Sequence, residues 1–260
     1  MEKVENYKKI LQKYAAYDKK TLLNIEINFK YNFKINKSNE NLIYFAKYFL
    51  ENNKKIDLDS IKTLMNNIHN FLNKGNNDYL KMVKCNYISA LHIIEMTAKY
   101  GIESNCLMHA IVLNEIMLAI GIFSRVIFCR TSCLINKDCH CVNIIWLNQW
   151  IMVDPINNVI CFNSEGTPLG IKELRKMIIY NERVIIPSAN RDFYNRYIEY
   201  WYKYGVWFHC YLESKIDIFN DYKNEIIITL LPKKFIAESD ILTQKEIVIK
   251  NECVFWKSPY

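Results

Sequence analysis

The chain has 260 residues, 51% of them hydrophobic and 14% aromatic, with 18 Tyr but only 6 Gly and 5 Pro, so it can bury a large core and has little room for disordered linkers. Its net charge of +7 is spread among Asn, Tyr and Ile without a dense basic block, which argues against nucleic acid as the leading partner and supports no more than weak attraction to an acidic carrier protein or a phosphate-bearing cofactor arm. The N-terminus alternates charge, no window reaches the ~18 apolar residues of a membrane span, and nine scattered cysteines suit reduced thiols, so a cytoplasmic protein with neither a membrane partner nor a disulfide framework is expected.

Residues 3 to 17 and about 39 to 52 carry apolar residues at helical spacing, and the stretch near 24 to 35 between them alternates like a strand. Asp59 or Ser60 is placed to cap a further helix that ends near Lys74-Gly75-Asn76. The next helix is expected from Tyr87 to about Tyr100, stopped by Gly101. Another follows from Asn105 to Gly121, with Cys106, Ala110, Leu113, Met117 and Ile120 on one face, and so belongs in the core. Beyond Gly121 the pattern turns to period two, predicting strands at about 124 to 130, 140 to 146 and 150 to 153, with a fourth at 159 to 162. Residues 170 to 180 read as a helix. An aromatic run from Phe193 to Phe208 then leads to strands near 208 to 213, 224 to 231 and 246 to 250. The fold class is α+β, a core helix on an antiparallel sheet with a helical N-terminal part, and the absence of repeats and linkers makes residues 1–260 one domain.

Two short stretches carry the chemistry. Ser104-Asn105-Cys106 sets a thiol in the first turn of a helix, where unpaired N–H groups and the helix dipole favour a thiolate and where the Cys106 N–H is free for an oxyanion. His140 opens one strand and Asp154 closes the next. A two-residue turn at Asn148-Gln149 would send Asp154 to the face opposite His140; a three-residue turn, Leu147-Asn148-Gln149, pairs Val142 with Asp154 and puts both side chains on one face. We expect the latter register. Taken singly, a buried Cys is most often a core residue, a strand-end His a surface residue and Asp-Pro a turn; the order and spacing of all three point to a cysteine nucleophile with an acid–base partner. His69, His92, His109 and His209 have no such companions and are assigned no chemistry.

These motifs resemble the transglutaminase-like superfamily of papain-like cysteine enzymes: Asn105-Cys106 at a helix start, Gly121-Ile122-Phe123-Ser124-Arg125 after it, a strand opened by His140, and Trp150-Ile151-Met152-Val153-Asp154-Pro155. The resemblance covers about residues 85 to 180, including a bacterial-looking continuation from Gly166 to Arg175. It implies a papain/transglutaminase-like fold for the core over 85–165, which the residue pattern sets between a mostly helical part over 1–80 and a helix, aromatic run and strands over 166–260 within one catalytic domain; residues 1–80 and 185–260 lie outside the resemblance. It also implies Cys106 as nucleophile, His140 as general base and acid, and Asp154 as the residue that orients His140. Asn105 stands where relatives often carry Gly, and Cys141-Val142 where they often carry an aromatic. No closely spaced acids suggest calcium, and no cofactor is implied.

The leading expectation is therefore acyl transfer through an acyl-Cys106 intermediate, from an amide or a thioester, carrier-bound in the case of natural-product assembly, to an amine; with water as acceptor the enzyme is a peptidase or amidase. The aromatic run from Tyr194 to Phe208 would either line a dry cleft or pack the core. A different class is zinc binding by Cys129, Cys133, Cys139, His140 and Cys141. Against it, strand alternation turns Cys139 and Cys141 away from His140, and no C-x-x-C knuckle is present, so no metal is assigned. A third class is a catalytically silent binding protein that keeps the fold.

Overall fold

The computed structural model describes residues 2–18, 31–50, 56–72, 77–78, 88–133, 138–187, 190–217, 224–235 and 246–259. Its helices are α1 (Glu2–Lys13), α2 (Glu40–Phe49), α3 (Leu58–Leu72), α4 (Ala90–Tyr100), α5 (Cys106–Ala119), α6 (Ile171–Ile179), α7 (Arg191–Tyr204) and α8 (Glu252–Phe255). The strands are β1 (Asn32–Phe33), β2 (Asn77–Asp78), β3 (Ile102–Glu103), β4 (Ser124–Arg130), β5 (Cys139–Trp146), β6 (Trp150–Val153), β7 (Trp207–Tyr211), β8 (Glu213–Ser214), β9 (Ile227–Leu230) and β10 (Glu246–Ile249). Six of them form a sheet in the order β10-β9-β7-β4-β5-β6, antiparallel except for the β9–β10 pair.

Strand alternation divides the interior into two apolar cores. Val126, Cys141, Ile145, Ile151 and Val153 point to one face and pack with α2 to α5. Ile127, Cys129, Val142, Ile144 and Met152 point to the other and pack with α1, α6 and α7. Between α2, α3 and α4 on one side and β4 and β5 on the other, α5 is buried from Met108 to Ala119 around its whole circumference, so the single apolar face expected from sequence is too narrow. Its polar residues are tied down: Glu115 accepts from Ala90 N at 3.1 Å and Asp217 N at 3.0 Å. Asn143 Nδ2 donates to Ala110 O at 3.0 Å, which fixes β5 beneath the first turns of α5.

The β5–β6 hairpin decides the site. Its ladder pairs Asn143 with Val153 and Trp146 with Trp150, which leaves Leu147, Asn148 and Gln149 as a three-residue turn. Asn148 takes a left-handed conformation, φ 64°, as that turn requires. One step further along the same register, Val142 stands opposite Asp154, as expected.

Other expectations shift. The cap of α3 is Asp57, whose Oδ1 accepts from Ser60 N at 3.0 Å and also from the Ser60 hydroxyl, so neither Asp59 nor Ser60 caps it. Ser89 caps α4 by accepting from His92 N, so the helix starts at Ala90; Tyr87, its expected start, lies outside the described residues. Residues 159 to 162 are not a strand: Val159 bridges to Asp154, and Phe162 to Pro168 and Ile185, as isolated pairs. Most of the stretch 24 to 35 and the stop at Lys74-Gly75-Asn76 lie outside the described residues. No helix among the described residues is long and apolar enough to cross a membrane.

Arg125 shows how the last segment is held. It is buried on β4 with its guanidinium over the rings of Tyr31 at 3.8 Å, Trp150 at 4.9 Å and Phe255 at 5.6 Å, and Nη2 donates to Phe255 O at 2.9 Å. A planar cation can stack on several faces at once, and here it pins α8 to the sheet.

Candidate active site

Asn105 caps α5: its backbone is extended and its side chain accepts from Met108 N at 3.0 Å. Cys106 is thus the first helical residue. Helix geometry gives the N–H groups of Cys106 and Leu107 no intrahelical acceptor, and they sit at the positive end of the macrodipole. The thiol is partly buried, and its pKa is drawn down to about 4. A hydrogen bond from the Cys141 thiol does most of this, burial opposes it, and the bond to and charge of His140 add to it.

His140 and Asp154 project from the sheet face opposite α5, both buried, and His140 Nε2 donates to Asp154 Oδ2 at 2.8 Å. Burial works against a charged imidazole, but the Asp154 charge and hydrogen bond, with the neighbouring thiolate, raise the His140 pKa above its ordinary value. The Asp154 carboxyl is held below the usual carboxylate range: burial opposes this, and the charge and bond of His140 with donors from Asn157 and Tyr197 overcome it. The other ring nitrogen, His140 Nδ1, is buried and bonded to no oxygen or nitrogen among the described residues, which leaves it to the Cys106 thiol beside it. The β5–β6 ladder begins only at Asn143, so β5 has an open edge near His140, where a thiol from the α5 side can meet the imidazole. All three residues singled out from sequence therefore converge: Cys106 beside His140, and His140 bonded to Asp154.

Further residues complete the cluster. Asn157 N donates to Asp154 Oδ1 at 3.3 Å and Asn157 Nδ2 to Asp154 Oδ2 at 3.0 Å, an Asx-type turn that follows Asp154-Pro155. The Tyr197 hydroxyl donates to Asp154 Oδ2 at 3.0 Å, and the Tyr200 ring stands edge-on to His140 at 4.8 Å. The Asp-Pro-x-Asn spacing is a readable local signal for Asn157. Tyr197 lies 43 residues from Asp154, and nothing local marks it. Of the two roles expected of the aromatic run, core packing is what the structure shows: Tyr197, Trp201 and Tyr204 are buried in the second core, and the Tyr200 ring packs against the imidazole.

The remaining histidines have structural surroundings. His109 Nδ1 pairs with Asn105 O at 2.9 Å, and burial lowers its pKa to about 4, so it is neutral; His69 Nδ1 pairs with Pro155 O at 3.2 Å. His209 stacks on Phe128 at 4.5 Å. Cys139 and Cys141 face the α5 side, whereas His140 and Cys129 face the other, and no group of three or more His, Cys, Asp or Glu among the described residues is placed to hold a metal ion.

The model of a known family, the transglutaminase-like superfamily, matches residues 45–155. This segment belongs to the transglutaminase-like superfamily. It is a superfamily of cysteine enzymes, and a core helix on a largely antiparallel sheet is consistent with its fold. The transglutaminase-like segment starts within α2, well before residue 85 where the sequence motifs place it, so the helices packed around α5 are part of it. It ends one residue after Asp154 and so contains Cys106, His140 and Asp154, while Asn157, Tyr197 and Tyr200 lie beyond it. No curated protein and no solved structure matches the chain.

Proposed function

We propose that the chain is a cysteine acyltransferase of the transglutaminase-like type, taking an acyl group from an amide or thioester onto Cys106 and passing it to an amine or to water. The observation that carries this reading is the 2.8 Å His140 Nε2–Asp154 Oδ2 bond, which commits one imidazole nitrogen to the carboxylate and leaves Nδ1 for the thiol. In the resting state the pair is a thiolate and an imidazolium. The thiolate attacks the carbonyl carbon, and the oxygen develops charge near the free N–H groups at the start of α5. His140 gives its Nδ1 proton to the departing amine or thiol, leaving a thioester at Cys106. The incoming amine or water loses a proton to the same nitrogen as it attacks, and the thiolate is expelled.

The aromatic cover on His140 favours amines over water by limiting bulk solvent at the thioester, and a carrier-bound thioester, as in natural-product amide formation, is the donor class to test first. Intact-protein mass spectrometry of wild type and Cys106→Ala, incubated with pooled acyl thioesters and peptides with and without amines, tests the reading. A wild-type-only adduct discharged faster by an amine than by water supports it. Discharge by water alone makes the protein a hydrolase. No adduct under any condition overturns it in favour of a binding protein.

A further inference from the structure

Asp154 is wholly buried, and its carboxylate accepts at both oxygens: Oδ2 from His140, Tyr197 and Asn157 Nδ2, and Oδ1 from Asn157 N. Two of these donor residues lie outside the family-matched segment: Asn157, in the turn just after it, and Tyr197, far along the chain on α7. We propose that Tyr197 is a positioning residue, whose phenol fixes the Asp154 carboxylate against His140 Nε2 and thereby keeps Nδ1 turned to Cys106. This rests on the acyl-transfer reading above.

A carboxylate with one hydrogen bond is free to turn about that contact. Asn157 limits that freedom from the adjoining turn, and a further donor held on a packed helix fixes the carboxylate from outside the turn. The Tyr197 ring is such a donor: it is 3% exposed in the second core and lies parallel to Phe193 at 6.0 Å. Burial, together with the Asp154 charge, pushes the phenol pKa well above its ordinary value, so Tyr197 remains a donor throughout the working range. Three residues along the same helix, Tyr200 packs on His140, so one face of α7 holds the carboxylate and covers the imidazole. The titratable groups around Asp154 are His140, Tyr197, Tyr200, Cys129, Cys161 and His109. Tyr197→Phe removes one oxygen and changes none of the others.

The test is full-length Tyr197→Phe, read in two ways. The rate of Cys106 alkylation by iodoacetamide, mapped by peptide mass spectrometry across pH, needs no substrate. Its acid limb should move up by about one unit, because a carboxylate with one donor fewer holds the imidazole less squarely to the thiol, and Cys106 loses part of the His140 bond and charge that depress it. With the acyl donor found in the adduct screen, kcat should fall roughly 10- to 100-fold while KM stays within about 2-fold. An unmoved limb together with an unchanged kcat, whatever happens to the melting transition, overturns the proposal and leaves Tyr197 a core residue. A moved limb in a protein for which no donor turns over keeps the positioning role and discards the acyl-transfer reading. If Tyr197→Phe does not fold, 3-fluorotyrosine at position 197, a stronger donor of similar volume, should move the limb down; no movement overturns the proposal.

Discussion

Replacing Asp154 by Asn is the sharpest perturbation of the site, because it keeps the shape of a wholly buried side chain and removes the charge that supports the His140 imidazolium. A hydrogen bond to a charged group is worth about 1.5–3 kcal/mol, and one pKa unit corresponds to 1.36 kcal/mol, so losing the carboxylate should lower the His140 pKa by about 1–2 units. The sign for the thiol follows. Cys106 is depressed in the folded protein, so its thiolate is populated above that value and lost as pH falls through it. His140, raised to about 10, stays charged at that pH even after a fall of about 1–2 units, so the acid limb of the thiolate holds and it is the alkaline limb, where the imidazolium gives up its proton, that moves down. Iodoacetamide alkylation followed at the Cys106 peptide, which separates it from the exposed Cys133 and Cys253, reads this directly. Wild type should react with a midpoint far below the ordinary thiol value of about 8.5 and show a second, alkaline limb as the imidazolium discharges; Asp154→Asn should keep the first midpoint and show the alkaline limb lower by about 1–2 units. A wild-type midpoint near the ordinary value, or an Asn variant indistinguishable from wild type, would refute the ion pair and the electrostatic argument built on it.

Cys141 makes the largest contribution to the low Cys106 pKa, so Cys141→Ala should also raise the alkylation midpoint, and Cys141→Ser, which keeps a donor, should restore most of it. Arg125→Lys should destabilise the fold by about 2 kcal/mol in urea unfolding, since an ammonium cannot stack on Tyr31, Trp150 and Phe255 together, while the alkylation profile of Cys106 stays in place. Equal stability of that variant would show that the aromatic cage contributes little.

What could be read from the residues follows the range of the forces involved. Helix caps and strand alternation are local, so Asn105 before Cys106 and the three strands after Gly121 were legible, and period two with a three-residue turn was enough to put His140 and Asp154 on one face. The Asp57 cap was missed because Asp59 and Ser60 are equally good cap residues, and only the packing of α3 decides among them. Residues 159 to 162 look like a strand but find only isolated bridges, since Asp154-Pro155 turns the chain away from the ladder. The Asp154–Tyr197 bond depends on where α7 lands on the sheet, a tertiary matter that no window of sequence contains. Similarly, the all-round burial of α5 reflects helices packed on it from elsewhere in the chain.

The sheet separates the two partners of the proposed ion pair. Cys106 packs with the core shared by α2 to α5, whereas His140, Asp154 and Tyr197 belong to the side of α1, α6 and α7. The reactivity of one thiol therefore gauges how two separately packed halves are seated across a single layer of backbone. A substitution that loosens either half by a fraction of an ångström would detune the thiolate while the protein still melts cooperatively. The expected signature is a falling Cys106 alkylation rate at an unchanged melting transition, which would make the thiol a reporter on the seam between the two cores.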